Sequence, residues 1–285
     1  MNALTVVCAG ELLWDVLPDG RTLGGAPANV AYHLGRLGLA PQLVTRVGRD
    51  EPGDAALALL RARGLDVAGV QVDDHLPTGA AHVVVDAHGH AGYQFVTPAA
   101  WDALEAPGNL SPDLLVSGTL ARRDARSASA IAQLGERARL RAYDVNLRPP
   151  YTSLATVAAA LPQATLVKLN ADEVGTLAGE FGLPVEHRAF AAALAERFGP
   201  RIVCITRGGD GAALWADGEW HEATAPPTTV VDTVGAGDAF LAALTEAWLR
   251  GRPWPLALAR ANRLGAAVAA RRGAMPDYVP ELLEA

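Results

Sequence analysis

The chain holds a single lysine, Lys168, among 24 basic residues, so arginine supplies nearly all of its positive charge. Acidic residues number 31 and the formal net charge is −7. No excess of positive charge exists to meet a phosphate backbone, so a nucleic-acid-binding surface is not expected. Any anionic ligand must be held by local donors. Cysteine is scarce: only Cys8 and Cys204 occur, each inside an apolar run. Small apolar sites suit a reduced, buried thiol. Two isolated cysteines make neither a disulfide framework nor a zinc site. Long hydrophobic runs are missing as well, none approaching the roughly 18 residues of a membrane span. The first apolar run, residues 3–9, has no basic leader and meets Glu11 almost at once, unlike an export signal. These absences predict a cytoplasmic protein that engages neither membrane nor nucleic acid. The lone lysine is either a chance survivor of an arginine bias or a position where an ammonium is required.

What is present is ample material for a core, since 50% of the 285 residues are hydrophobic. Strand-like runs at residues 4–9, 42–47, 114–117, 141–145, 165–169 and 202–206 alternate with helical periods at 27–37, 54–63, 124–139, 153–161, 172–178 and 188–198. That alternation predicts an α/β fold of βαβ units, with a mostly parallel sheet covered on both faces. Ligands of such sheets bind beyond the carboxyl ends of the strands. Residues 67–97 break the pattern with "VQV", "AHVVVDA" and "YQFV" between turn formers such as His88-Gly89. They predict a small antiparallel sheet which, with residues 12–23, forms a β lid outside a core of residues 1–11, 24–66 and 98–285. Such an excursion excludes water from a site or joins two copies in a homodimer. Residues 206–223 predict a three-stranded meander at one sheet edge.

The stretch "DTVGAGDAF", residues 232–240, places Gly235-Ala236-Gly237 between a β-branched run at 229–231 and an amphipathic helix at 239–249. A dinucleotide fingerprint needs its third glycine at 240, where Phe240 stands, and no G-x-x-x-x-G-K-[ST] occurs. What remains is a helix amino terminus with free amides at 235–238, an anion site, and Asp238 beside it. Taken alone, an acid there is ordinary helix chemistry, favoured by ~0.3–1 kcal/mol. "GGAPANVAYHLGRLG", residues 24–38, is a second glycine-rich helix start, with Pro27 in the first turn and Asn29 nearby. Gly24 and Gly25 let backbone approach a ligand closely, and Asp15 adds acceptors. An acid, an amide and bare backbone donors suit a polyol. Tyr93, Gln94 and Phe95 on the flap are candidates to shape its outer face.

The spacing Gly24-Gly25-x-Pro27-x-Asn29-x-Ala31, then Gly38 and Gly48, resembles the amino-terminal signature of the ribokinase-like (PfkB) carbohydrate kinases. Asp232-Thr233-x-Gly235-Ala236-Gly237-Asp238, running into Ala242-Ala243-Leu244, resembles the carboxyl-terminal signature of the same family. The resemblance spans essentially the whole chain. It implies a three-layer α/β/α core with a small β-sheet lid, and phosphoryl transfer from ATP, with Mg²⁺, to a sugar hydroxyl. Asp238 is the implied catalytic base, and the 235–238 amides the implied anion hole. Positioned donors do most of the work in so loose a transfer, and an aspartate of ordinary or lowered pKa suffices to take the proton.

The same resemblance implies further roles. Asn170 and Glu173 match an N-x-x-E motif tied to phosphate and magnesium, Glu173 acting through metal-bound water. Without the family they read equally well as a capping box. In "DVNLRPP", Asn146 and Arg148 face the cleft, Arg148 as a candidate for substrate and its phosphate. Thr206, Gly208 and Gly211 line the nucleotide, Asn262 its adenine side, and Lys168 its phosphates. Asp232, with carbonyls near Arg271 and Gly273, matches a monovalent-cation neighbourhood. Asp277 stands where ribokinases carry a small hydroxyl residue, which sets potassium in question. "GELLWDVLPDG", "DVNLRPP" and "VKLNADE" are closest to fructokinases. Ribose, 2-keto-3-deoxygluconate, tagatose and nucleosides remain alternative acceptors. A sugar-binding regulator on a kinase scaffold is the rival of a different class, and a dinucleotide oxidoreductase is disfavoured by Phe240.

Overall fold

The structure, a computed structural model, describes residues 4–17, 20–85 and 91–283. Seven parallel strands form the centre of the main sheet: β1 (Val6–Ala9), β4 (Pro41–Gly48), β5 (Val70–Asp73), β8 (Leu114–Gly118), β9 (Leu140–Asp144), β10 (Leu166–Asn170) and β11 (Ile202–Thr206). β12 (Ala212–Ala216) and β13 (Glu219–Ala223) extend it as an antiparallel meander. The strand order is β13-β12-β11-β10-β9-β8-β1-β4-β5. A smaller sheet, in order β3-β2-β6-β7, holds β2 (Leu13–Leu17), β3 (Gly20–Gly24), β6 (Gly79–Val85) and β7 (Ala91–Phe95).

Side-chain alternation along the strands explains why both sheet faces are covered. Val6 and Cys8 enter one apolar cluster, while Val7 and Ala9 enter another on the opposite face. Ile202 and Cys204 likewise face away from Val203 and Ile205. The first layer contains α1 (Ala26–Arg36), α2 (Glu51–Ala62), α7 (Ala236–Leu249) and α8 (Trp254–Ala269). The other contains α3 (Ala125–Arg137), α4 (Leu154–Ala160), α5 (Ala171–Phe181) and α6 (His187–Phe198). The result is the expected α/β architecture with a mostly parallel sheet and a smaller second sheet.

Three local expectations are corrected. "VQV", expected in the lid, is β5, which pairs parallel with β4 at the edge of the main sheet. The smaller sheet, expected to be antiparallel, is not wholly so, because β2 and β6 run parallel. The β-branched run at 229–231 is not a strand; Val230 and Val231 are exposed, and the amides of Val231 and Asp232 both donate to Ala269 O. The turn at His88-Gly89 lies outside the described residues.

Candidate active site

Strand order reverses between β1 and β8, and a cleft of about 400 Å³ opens there beyond the carboxyl ends of the strands. A second hollow of about 310 Å³ adjoins it, sharing Thr206, Thr233 and Gly237. Two glycine-started helices point at the first cleft. Gly25 caps α1 at a φ of 112°, and a Cβ there would lie 2.5 Å from Glu11 O. Gly235 caps α7 at a φ of 77°, where a Cβ would lie 2.5 Å from Ala274 Cα. Both positions thus require glycine, for conformation and for space.

At the start of α7, the amides of Gly235, Gly237 and Asp238 have no acceptor among the described residues. The Ala236 amide differs from expectation: it donates to Thr233 O at 3.2 Å, so it is not one of the free donors. Asp238 is 9% exposed, and its Oδ2 accepts from Asn29 Nδ2 at 2.7 Å. This bond joins α1 to α7 across 209 residues of sequence. Burial, with Asp144 adding to it, pushes the Asp238 carboxyl up to about 6 despite the Asn29 bond and the cations Lys168 and Arg148. An ordinary or lowered value would suffice for a base here, and the structure raises it instead. The sequence shows the acid but not its desolvation.

Two more carboxyls share this end of the cleft. Burial raises Asp15, on β2, to about 6, and Glu11, after β1, to about 7. Glu11 Oε1 accepts from the Ala26 amide at 3.2 Å, bracing the first turn of α1. Arg148 is the cation that lowers all three acids from the values burial alone would set. Its own side chain is exposed at the cleft, with Nη1 donating to Leu147 O at 2.8 Å.

Beneath the α7 terminus lies Lys168. It is 6% exposed and bonds both oxygens of Asp144 at 3.1 Å. Its Nζ would be only 3.1 Å from a Cβ on Gly237, which sets the ammonium directly against the first turn of α7. Asp144 dominates the attractions that hold the Lys168 pKa above its usual value, against the burial that lowers it. Glu173 and Asn170 do form the capping box: Glu173 Oε2 accepts from Asn170 N and Asn170 Oδ1 from Glu173 N. Glu173 Oε1 also accepts from Leu147 N at 2.7 Å, so the carboxylate braces the β9 loop as well. Burial and Asp144 raise its pKa.

The second hollow, lined by Gly208, Gly211, Pro226, Phe240 and Asn262 among others, is largely apolar. Asn262 Nδ2 donates to Ala223 O at 2.9 Å, which ties α8 to the end of β13.

Residues 273–278 back the start of α7, with Ala274 against Gly235. Gly273 N and Val234 N donate to the two oxygens of Asp232 at 2.9 and 3.0 Å. Carbonyls of the same segment accept from side chains of α1 and from Arg63, just past α2. Ala274 O takes His33 Nε2 at 2.9 Å, Met275 O takes Arg63, Pro276 O takes Tyr32 and Tyr278 O takes Arg36. Because a carbonyl only accepts, His33 carries its proton on Nε2, and Nδ1 accepts from the Tyr278 hydroxyl. Burial lowers His33 to about 4, so the ring stays neutral. Asp277 turns to Arg63, 3.8 Å away.

The first cleft thus gathers Asp15, Gly24, Gly25, Asn29, Arg148, Lys168, Asn170, Thr206, Gly235, Gly237 and Asp238. Gly208, Gly211 and Asn262 line the neighbouring hollow with Ala236. Gln94 is the exception: it is exposed on β7, while Phe95 lines the cleft, since adjacent strand residues face opposite ways. The side chain of Tyr93 lies outside the described residues. Glu173 and Asp232 stand behind the walls. Sequence reasoning missed Glu11 and Asp144. Each directly follows or ends an apolar run, which is the one signal the sequence offered.

A cleft of carboxylates, amides and free backbone donors beside a largely apolar hollow offers the groups that phosphoryl transfer to a polyol requires. The chain belongs to the pfkB family carbohydrate kinases, whose pattern it matches over residues 9–282. It is 30% identical to a fructokinase of Klebsiella pneumoniae, over 93% of each chain. It is also 30% identical to an aminoimidazole riboside kinase of Salmonella typhimurium, over 96% of this chain and 91% of that one. In fold it superposes on a fructokinase from Xylella fastidiosa with bound ATP, with a TM-score of 0.85 and 24% identity over 98% of this chain and 97% of that one. No described helix is long and apolar enough to cross a membrane.

Proposed function

We propose that this sugar kinase transfers the γ-phosphoryl group of ATP to a hydroxyl of fructose. The observation that carries the catalytic reading is the buried Asn29–Asp238 bond of 2.7 Å, made where the free amides of α7 face the cleft. Asp238 Oδ1 has no donor among the described residues and receives the proton of the attacking hydroxyl. As the new O–P bond forms, the bond from Pγ to the β–γ bridging oxygen breaks and ADP leaves. The amides of Gly235, Gly237 and Asp238, with Lys168 beneath them, hold the charge of the phosphoryl group in flight. At pH 7 a carboxyl of pKa about 6 is about nine-tenths ionised, so the base is ready without further activation.

ATP fits the second hollow, with its base beside Asn262 and its phosphates running past Thr206 and Gly208 toward Gly237. Glu173, behind the cleft wall with both oxygens accepting amides, would meet an Mg²⁺ only through waters that the ion keeps. Bound with ATP, that ion supplies charge neutralisation of the phosphates. Asp232 acts as a brace of the anion hole, because both of its oxygens already accept amides. Exchange of sodium for potassium is accordingly expected to change kcat little. A cytoplasmic enzyme belongs to the same proposal, a reading that use of ATP as donor supports. A homodimer joined through the small sheet belongs to the same proposal and is read by sedimentation.

Fructose as acceptor rests on the fructokinase likeness and on the sequence flavour of residues 10–20. A riboside acceptor is the second reading, favoured by equal identity to the aminoimidazole riboside kinase. A coupled ADP-release assay across fructose, ribose, tagatose, 2-keto-3-deoxygluconate and aminoimidazole riboside decides between them. Fastest turnover on fructose is expected; fastest turnover on another acceptor overturns the substrate assignment.

A further inference from the structure

Two buried side-chain oxygens of the sugar cleft have no hydrogen-bond partner among the described residues: Asn29 Oδ1 and Glu11 Oε2. Glu11 is 4% exposed, yet it belongs to the cleft wall with Asp15, Asn29 and Asp238. Its other oxygen is committed to the Ala26 amide. The glycine at 25 brings the α1 start against the Glu11 backbone, which puts the Ala26 amide within reach of the side chain. Buried polar atoms are nearly always paired, and an orphan beside a cleft is satisfied by what the cleft binds. Asn29 Oδ1 is an acceptor, and so is Glu11 Oε2 in the ionised carboxylate, so the ligand that pairs both brings donors. A polyol does so, with one hydroxyl for each.

We propose that Glu11 is a sugar-binding residue, whose Oε2 accepts a hydrogen bond from a hydroxyl of the substrate other than the one phosphorylated. The inference rests on the sugar-kinase reading and deepens it. Glu11 then does two things at once. Through Oε1 it holds the first turn of α1, the helix that carries Asn29 to Asp238. Through Oε2 it checks that the acceptor has a hydroxyl at one fixed position. The raised value of Glu11 fits an acid awaiting a partner, since a donating hydroxyl stabilises the carboxylate that burial disfavours. A sugar lacking that hydroxyl leaves the carboxylate unpaired, which is the kind of mismatch that discriminates strongly.

The test compares wild type, Glu11→Gln and Glu11→Ala on one parent sugar and its set of monodeoxy analogues. The parent is whichever sugar of the acceptor panel gives the fastest ADP release. A failure of fructose therefore overturns the substrate assignment and leaves this test intact. Wild type is expected to prefer the parent over one particular analogue by about 100-fold or more in kcat/KM. In Glu11→Ala that preference is expected to collapse to within a few-fold, while preferences over the other analogues persist and the KM for ATP stays within about twofold. Glu11→Gln, close in shape and the safer fold, is expected to reduce the same single preference, because it turns an acceptor into a donor. Unchanged preferences across all analogues in both variants overturn the proposal. So does a uniform loss on every sugar, which marks Glu11 as a brace of α1 alone.

Discussion

Removing the Asn29 carboxamide is expected to move the pH dependence of the enzyme, not merely its rate. Asn29 donates to Asp238 at 2.7 Å in a buried setting, and this bond lowers the Asp238 pKa against the burial that raises it to about 6. Hydrogen bonds to charged groups contribute ~1.5–3 kcal/mol. At ~1.4 kcal/mol per unit, losing the bond raises the carboxyl by about one to two units, to about 7–8. Asp238 acts as a base, so its ionised form is the active one, and kcat/KM falls about tenfold per unit below its pKa. In a Glu11→Gln background, which removes the other cleft acid titrating near 7, the acid limb is expected near pH 6. With Asn29→Ala added it is expected near pH 7–8, superimposed on whatever uniform loss follows from a weaker grip on the sugar. The assay is kcat/KM for the sugar across about pH 5 to 9, at saturating ATP, with the coupling enzymes in excess. A uniform drop with the limb still near pH 6 would refute the reasoning, since it would mean that Asn29 does not tune the titrating base.

Other expectations follow from the same contacts. Lys168→Met leaves Asp144 buried without its cation, and unfolding in urea is expected to show a loss of ~3–5 kcal/mol, together with a fall in kcat. Gly235→Ala meets both a left-handed backbone and the Ala274 backbone, so a lower melting temperature and a near-inactive enzyme are expected in thermal scans and ADP release. His33→Leu frees the carbonyl of Ala274, whose residue packs on Gly235; kcat is expected to fall while the KM for sugar changes little. Glu11 binds its proton more tightly folded than unfolded, so its contribution to stability is present below about pH 4 and lost as pH rises through about 7. Urea midpoints are therefore expected to shift in favour of Glu11→Gln, relative to wild type, as the pH passes 7.

The sequence made legible what depends on local chemistry. The two glycine-rich helix starts, the strands at 202–206 and the capping box of Asn170 and Glu173 are all written in neighbouring residues. Pairing was less legible. "VQV" has the alternation of any half-buried strand, and only the tertiary fold decides that it joins β4 and not the lid. The same limit explains residues 229–231, whose β-branched side chains mark an extended chain without providing a neighbour. Gln94 and Phe95 were equal candidates in the sequence, since only the phase of β7 decides which of two neighbours faces the cleft. Glu11 and Asp144 stayed hidden because their significance lies in burial and in partners 15 and 24 residues away. The raised Asp238 pKa was hidden for the same reason: desolvation belongs to the assembled cleft and not to any one segment.

The central claim is that Asp238 takes the proton from the sugar hydroxyl. Asp238→Asn keeps the shape and removes the base, so the direct measurement is its kcat in ADP release, paired with calorimetric binding of sugar and of ATP. A loss of roughly 100-fold to 10,000-fold or more in kcat, with both ligands still bound, is the predicted result. A near-normal kcat contradicts it.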